Sequence, residues 1–315
     1  MTAYLDFEKP VAELQARISE LRESAETGGA DIDAELAKLQ AKADKLLADT
    51  YARLTPWQKT QVARHPDRPH FQHYVARLFS DFMPLAGDRG FGEDLAILGG
   101  FARFNGKRVM VIGHEKGADT ASRLKHNFGM GKPEGYRKAV RLMHLADRFG
   151  LPVITLVDTS GAFPGMQAEE RGQAEAIARS TEACLSLGVP MVTAILGEGG
   201  SGGAVALSAA NHVMMMEHAV YSVITPEGCA SILWRTADKA AEAAEAMRIT
   251  ADDLARLKVI DMIVKEPVGG AHRLPAAAID SVGKQLALAL KSLDSASPQE
   301  LRASRRRKYL AMGAL

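Results

Sequence analysis

Leu151-Pro-Val-Ile-Thr-Leu-Val-Asp158 and Val189-Pro-Met-Val-Thr-Ala-Ile-Leu196 are apolar runs, and each leads into a glycine-rich turn. The first turn reads Thr159-Ser160-Gly161-Ala162-Phe163-Pro164-Gly165, the second Gly197-Glu198-Gly199-Gly200-Ser201-Gly202-Gly203. Runs that are apolar throughout, rather than alternating, belong to strands covered on both faces. Helical patterning fills the gaps: from about Pro133, a residue suited to a first turn, to Phe149; from about Glu169 to Leu187; and again from near Ala204. Strands alternating with helices predict an α/β fold around a parallel, buried sheet.

Outward from this centre the signals continue. His212 to Glu217, Ala219 to Ile224 and Val259 to Val264 read as further strands, and Pro226 to Lys258 as mostly helical. Pro275 to Leu293 carries Ile279, Val282, Leu286, Leu290 and Leu293 on one helical face. Upstream, Ala96 to Phe104 and Lys107 to His114 are strand-like, and Asn105-Gly106 between them is a strong hairpin signal. Residues 55 to 92 are rich in Pro and His and read as irregular. Before them, Val11, Leu14, Ile18, Leu21 and Ala25, then Leu36, Leu39, Ala43 and Leu46, mark two helices. Gly28-Gly29 breaks them, and Asp31 and Asp33 open the second. Their stripe can pack on the chain's own domain or on a partner. The expected division is a helical arm over 1–55, a main domain over 56–275 and a helical tail over 276–315.

Of the 315 residues, 47% are hydrophobic and 24% charged, which is globular and ample for a large core. With 39 Lys and Arg against 38 Asp and Glu, bulk charge implies no polyanionic or polycationic partner. Cys184 and Cys229 lack metal-site spacing and read as reduced, buried thiols suited to the cytoplasm. Met1 to Pro10 has no apolar signal region, and the apolar runs are too short to span a bilayer.

The chemistry belongs at the two turns, because ligands in open α/β sheets bind beyond the carboxyl ends of strands. Glycine allows close backbone approach, and the first N–H groups of a following helix have no internal partner. Together they make an anion or oxyanion site. Gly197 to Gly202 also matches G-x-G-x-x-G, with Glu217 placed as a ribose-binding acid would be, so a nicotinamide cofactor stays open. No Gly-Lys-Ser/Thr closes a phosphate loop, Ser201 lacks the G-x-S-x-G context, and no HExxH occurs. His65, His70 and His73 read as surface or loop-packing residues, and Cys229 as packing. Glu198 reads as functional. Glu169, Glu170 and Arg171 orient a ligand or simply open a helix. Arg302, Arg305, Arg306, Arg307 and Lys308, almost without aromatic residues, read as a solvated face or an acidic-partner dock rather than a nucleic-acid contact. Donor-rich turns without a general base suggest enolate stabilisation.

Further stretches carry a resemblance: Leu5-Asp-Phe-Glu-Lys-Pro10, Pro56-Trp-Gln58, Ala63-Arg-His-Pro66, Asn127-Phe-Gly-Met130 and Pro133-Glu-Gly-Tyr-Arg-Lys-Ala139. Ala168-Glu-Glu-Arg-Gly-Gln173, Gly197 to Gly203, Pro226-Glu-Gly-Cys-Ala-Ser-Ile-Leu-Trp234 and Gly269-Gly-Ala-His-Arg273 extend it. In this order they resemble the alpha subunit of the bacterial acetyl-CoA carboxylase carboxyltransferase, from residue 5 to about 275. The resemblance implies a crotonase/ClpP-like superhelix of ββα units rather than a doubly wound sheet. It implies a zinc-containing beta subunit holding most of the coenzyme A site, with the active site between the two. A biotin carboxyl carrier protein, a biotin carboxylase and an alpha2beta2 assembly complete the implied complex, whose overall reaction consumes ATP and begins fatty acid biosynthesis. Gly202 and Gly203 match the pair whose amides face the carbonyl of biotin, and Gly161, Ala162, Phe163, Gly165, Glu198, Gly199, Gly200 and Ser201 would line the substrate. Carboxybiotin would give up CO2, the cofactor would take a methyl proton from acetyl-CoA, and malonyl-CoA would form; no metal is expected in this chain.

The family usually reads Asp-Thr-Pro-Gly-Ala-Tyr-Pro-Gly at the first turn. Here Ser160 and Phe163 replace the Pro and the Tyr, and Met166-Gln167 follow where smaller residues are usual. The change frees φ at 160 and removes a hydroxyl. Three other readings stand beside the carboxyltransferase. One is a self-sufficient crotonase-type hydratase or isomerase using Glu198 as acid or base. Another is a nicotinamide enzyme, and the last a scaffold.

Overall fold

Residues 4–28 and 33–313 are described by the computed structural model. The chain opens with α1 (Lys9–Gly28), α2 (Asp33–Tyr51), α3 (Pro56–Ala63) and α4 (Phe71–Leu78), then β1 (Phe79–Pro84), β2 (Ile97–Phe104) and β3 (Lys107–His114). After α5 (Thr120–Lys125) and α6 (Pro133–Arg148) come β4 (Val153–Thr159), α7 (Met166–Glu170), α8 (Gln173–Ser186), β5 (Met191–Gly200) and α9 (Ser201–Val205). The remainder is β6 (His212–Met216), β7 (Val220–Ser222), α10 (Pro226–Trp234), α11 (Ala240–Met247), α12 (Ala251–Arg256), β8 (Met262–Val264), α13 (Pro275–Leu293) and α14 (Pro298–Ala311).

Every residue of β4 and β5 is buried, as their unbroken apolar runs require. They form the centre of a sheet ordered β1-β2-β3-β4-β5-β6-β8. The first three strands are antiparallel neighbours, and β3 to β8 pair in parallel. Two polar residues inside this core satisfy one another: the Thr155 and Thr193 hydroxyls lie 2.6 Å apart, so that one donates to the other, and the second donates to the Leu207 carbonyl, which is within reach of both. β5 forks. Val192 to Ile195 pair with β6, whereas Glu198 to Gly200 pair with β7. The register with β4 also shifts between Val157 and Thr159. The end of β5 therefore exchanges β6 for β7 as its neighbour on one side, while Gly199 still pairs with Thr159 of β4 on the other.

Several sequence expectations change here. The second turn is shorter than it reads: Gly197 to Gly200 continue the strand, and the helix begins at Ser201 rather than near Ala204. Glycine is poor in strands, but here side chains would collide with neighbours, as described below. The stretch 55–92 is not irregular; it holds α3, α4 and β1. Thr55 caps α3 through a reciprocal box with Gln58, with Pro56 in the first turn, so the local code was that of a helix start. The helix expected from Glu169 to Leu187 divides at Gly172, whose φ of 79° interrupts it. Pro275–Leu293 is a helix with the expected bounds.

In the arm, α1 and α2 bury Val11, Ile18 and Ala43 and pack mainly on each other, while Tyr51 at the end of α2 meets His218 of the main domain. Glu8 anchors the base, accepting from Tyr51 at 2.9 Å and Arg273 at 2.7 Å. Gly29 and Asp31 lie outside the described residues. The basic tail is not a uniformly solvated face. Arg305 is fully buried and donates to the carbonyls of Cys184, Leu187 and Val189, while Lys308 pairs with Asp261. Cys184 is buried, which pushes its thiol up to about 12, whereas Cys229 is only partly covered; both are free. No described helix is long and apolar enough to cross a membrane.

Candidate active site

The carboxyl ends of β4 and β5 bring the two turns into direct backbone contact. A Cβ on Gly200 would lie 2.1 Å from the Ser160 carbonyl oxygen. A Cβ on Gly203 would lie 2.8 Å from both the Ala162 nitrogen and the Gly161 carbonyl carbon, and 3.0 Å from the Tyr136 hydroxyl. Only glycine fits either position. Gly199 is confined by a side chain instead, the Tyr221 ring at 2.7 Å, and Gly202 is looser, with Ile177 of α8 at 3.3 Å. Ser201 bends into α9 with φ of 53°, a conformation unusual outside glycine. The N–H groups of Gly202, Gly203 and Ala204 then fall in the first turn of α9, where no preceding helical turn offers carbonyls.

The first turn is held differently. The Gly161 N–H donates to the Thr159 hydroxyl at 3.1 Å, and that hydroxyl donates to the Gly161 carbonyl at 2.7 Å. Phe163 N–H donates to the Gly131 carbonyl at 2.9 Å. The buried Gln173 amide donates to both the Gly131 and Phe163 carbonyls, each at 2.9 Å. Lys132 Nζ sits 5.3 Å from the centre of the Phe163 ring, and that ring fills the space a Gly165 side chain would need. Gly161, Ala162, Gly200, Ser201 and Gly203 thus converge, Phe163 and Gly165 flank them, and Gly202 faces α8.

Glu198 turns the other way. With Arg64, His65, His70, Lys116, Phe128 and Ser160 it lines a cavity of about 510 Å³ on the α3 side of the strands. Its carboxylate accepts from Lys116 at 2.8 Å and from Arg64 at 2.6 Å, and Arg64 continues to Glu227 at 2.5 Å. Lys116 also lies 2.9 Å from Asp158, whose other oxygen is 3.3 Å from His70 Nδ1. Burial would raise the carboxyl pKa of Asp158 and of Glu198, but Lys116, with His70 or Arg64 beside it, outweighs burial and holds both below their usual range. Burial would discharge Lys116, yet the two carboxylates hold it above the ordinary lysine value. His114, fully buried at the end of β3, is pushed down to about 4 by burial and is neutral at pH 7.

These facts bear on the competing readings. A carboxylate locked between two cations and kept ionised is a poor proton shuttle, which removes the acid–base role of Glu198 required by a hydratase. The G-x-G-x-x-G match fails in context: its first four residues are buried strand, and Glu217 is engaged by Lys265 at 2.6 Å. Arg171 pairs with Glu134 at 2.8 Å and stacks on Phe91, so it acts in packing, while Glu169 and Glu170 are exposed. Of the loop histidines, His65 and His70 are buried, and His65 stacks on His272 with ring centres 3.8 Å apart. Sequence reasoning missed Lys116, Asp158 and Arg64. Asp158 alone carried a signal, as a carboxylate at the end of a buried strand.

Comparison with known proteins gives the same picture. A family model described as acetyl co-enzyme A carboxylase carboxyltransferase-like matches residues 4–313. The acetyl-coenzyme A carboxylase carboxyl transferase subunit alpha of Rhizorhabdus wittichii is 71% identical over 313 residues, spanning 99% of this chain and 100% of that one. The protein of the same name from Sphingopyxis alaskensis is 71% identical over 313 residues and 99% of each chain. Among solved structures, transcarboxylase 12S superposes with a TM-score of 0.59 at 19% identity, over 76% of this chain and 45% of that one. At that identity the likeness speaks to the crotonase-type fold.

Proposed function

The chain belongs to the acetyl-coenzyme A carboxylase carboxyltransferase alpha-subunit family, and from that premise we propose that it presents the Gly202 and Gly203 amides to a carboxyl-carrying biotin while a beta subunit holds acetyl-CoA. The chain is a carboxyltransferase subunit; the partners, the carried group and the malonyl-CoA product are the finer reading.

The observation that carries this reading is the contact of Gly203 with the first turn. With backbone 2.8 Å from where its Cβ would be, the position is fixed without any side chain. Amides so held need no reorganisation when charge develops on a ligand, and each such donor contributes about a hundredfold in rate. Biotin on a carrier protein supplies the carboxyl group and a ureido oxygen able to accept those N–H bonds. This chain's residues supply the donors, the neutral wall of Gly161 and Ala162, and the Phe163 face. They offer no general base at the turns, which agrees with a reaction whose proton transfer lies with the bound groups.

A second subunit is supported by the surface beside the site. Val223 follows β7, which pairs with the end of β5, and is 80% exposed; Ile232 and Leu233 on α10 are 71% and 63% exposed. Aliphatic side chains this open to water, one of them directly after the strand that pairs with the end of β5, suit burial against another protein. We read the partner as the beta subunit, in an alpha2beta2 assembly with the biotin carboxyl carrier protein and biotin carboxylase.

The test is malonyl-CoA-dependent carboxylation of biotin by this chain with and without a matching beta subunit. Activity is expected in the mixture alone. Turnover of an acyl-CoA by the chain alone, or an inert mixture, would sink the reading.

A further inference from the structure

We propose that Lys116 is a positioning residue that sets the separation of the two glycine turns and so the aim of the Gly202 and Gly203 amides. The assignment rests on the donor role given to those amides above. Lys116 stands just beyond β3, on neither turn, yet its ammonium touches both strand ends: Asp158 Oδ1 at 2.9 Å and Glu198 Oε2 at 2.8 Å. The same Asp158 oxygen accepts the Glu198 backbone N–H at 2.9 Å. One carboxylate oxygen, one ammonium and one amide thus tie the end of β4 to the end of β5. The surroundings are cleared for this knot. A Cβ on Gly197 would lie 2.7 Å from that Asp158 oxygen, and one on Gly129, at φ 76°, 2.9 Å from Cγ of Lys116.

The charged and titratable groups around the knot are Arg64 on Glu198, Glu227 beyond Arg64, His70 on Asp158, and, without direct contact, His114 and Arg68. Without the lysine, two buried carboxylates face each other across a single N–H. Like charges so placed either separate or share a proton. Separation opens the seam where Gly200 meets Ser160 and Gly203 meets Gly161 and Ala162, and a shift of about 1 Å there costs roughly a hundredfold in rate. Each carboxylate keeps a second partner, His70 or Arg64, so the chain is expected to fold.

The experiment compares K116M with wild type, each paired with the beta subunit, in malonyl-CoA-dependent carboxylation of biotin. A roughly hundredfold fall in kcat is expected with KM within about twofold. The K116M rate should climb as pH falls from about 8 to 6, an acid limb absent from wild type, because one proton relieves the repulsion. K116M/E198Q, which removes that repulsion but not the missing tie, should recover about tenfold of the loss and stay about tenfold below wild type. A wild-type kcat in K116M, or a loss equal at every pH and untouched by E198Q, overturns the assignment. If K116M does not fold, the charge-balanced K116M/E198Q is compared with wild type directly: about a tenfold lower kcat at unchanged KM supports the clamp, and an unchanged kcat overturns it. An inert wild-type pair overturns both this assignment and the reading beneath it, whereas an active wild-type pair with an unaffected K116M overturns this assignment alone.

Discussion

The first glycine turn, Thr159 to Gly165, is held by hydrogen bonds that reach into it from Thr159, Gln173 and Gly131. The second, at the end of β5, is held by the absence of side chains, with backbone or ring atoms within 3 Å of where Cβ atoms would be at Gly199, Gly200 and Gly203. A bonded turn can change its side chains and keep its shape. A steric one cannot gain a single carbon. That difference accounts for where this chain departs from its family's usual reading: Ser160 and Phe163 lie in the first turn, and the second is intact. It also divides the end of β5 into two faces, a neutral one towards Gly161 and Ala162 and a charged one towards Lys116 and Arg64.

The sharpest way to break this comparison is to add one methyl to each of two neighbouring glycines. Gly203→Ala drives a carbon into the backbone of Gly161 and Ala162, and we expect kcat of the two-subunit enzyme to fall by about a thousandfold. Gly202→Ala meets only side-chain methyls of Ile177, Cγ2 at 3.3 Å and Cδ1 at 3.6 Å, which need give by no more than a few tenths of an ångström. Its rate should stay within about threefold of wild type, since the N–H is retained. Equal losses in the two variants would show that the second turn is not confined at Gly203.

The charged face gives the next effect. Glu198 is ionised below its ordinary 4.5, so its stabilising contribution is complete above that value and is lost as pH falls through the lowered one. Lys116 is displaced the other way: its contribution is complete below 10.5 and is lost only in strong alkali. Wild type should therefore exceed Glu198→Gln by roughly 3 kcal/mol in stability, the cost of stripping one partner from a buried pair, across neutral pH, with the gap closing below about pH 4.5. Denaturant titrations of both proteins at pH 7, 5 and 3.5 would measure it. A gap that grows in acid would contradict the paired carboxylate.

Much of this was legible from the residues. Asn105-Gly106 is a hairpin whose two positive φ angles, 49° and 77°, are those its composition demands. The apolar runs are the central strands, and α13 begins at its proline. The extension of β5 to Gly200 was not legible, because glycine signals a turn by propensity and a close approach only by what lies across from it. Here that is Tyr221 and Ser160, known only once the fold is known. The ionic knot was invisible for a similar reason: Arg64 and Glu198 are 134 positions apart, and no spacing rule joins them. Nor does a run of arginines announce that Arg305 alone turns inward to meet three carbonyls.

The bonded turn predicts smaller losses. Gln173→Ala leaves the buried Gly131 carbonyl and the partly buried Phe163 carbonyl without their side-chain donor, although Gly131 keeps the Phe163 N–H. The cost should be about 1–2 kcal/mol of stability, with KM for the carried biotin rising more than kcat falls, because the Phe163 face is loosened while the amides of α9 stay put. Phe163→Tyr is the mildest change. The ring already lies against Lys132, and the added hydroxyl enters a half-exposed position, so the fold has no need of it. If the first turn tolerates substitution because bonds from outside hold it, then kcat and KM should each move by less than about threefold and thermal stability by under about 0.5 kcal/mol. A tenfold change in either kinetic constant would mean instead that the hydroxyl reaches the ligand, and that this chain's phenylalanine retunes the site rather than merely filling it.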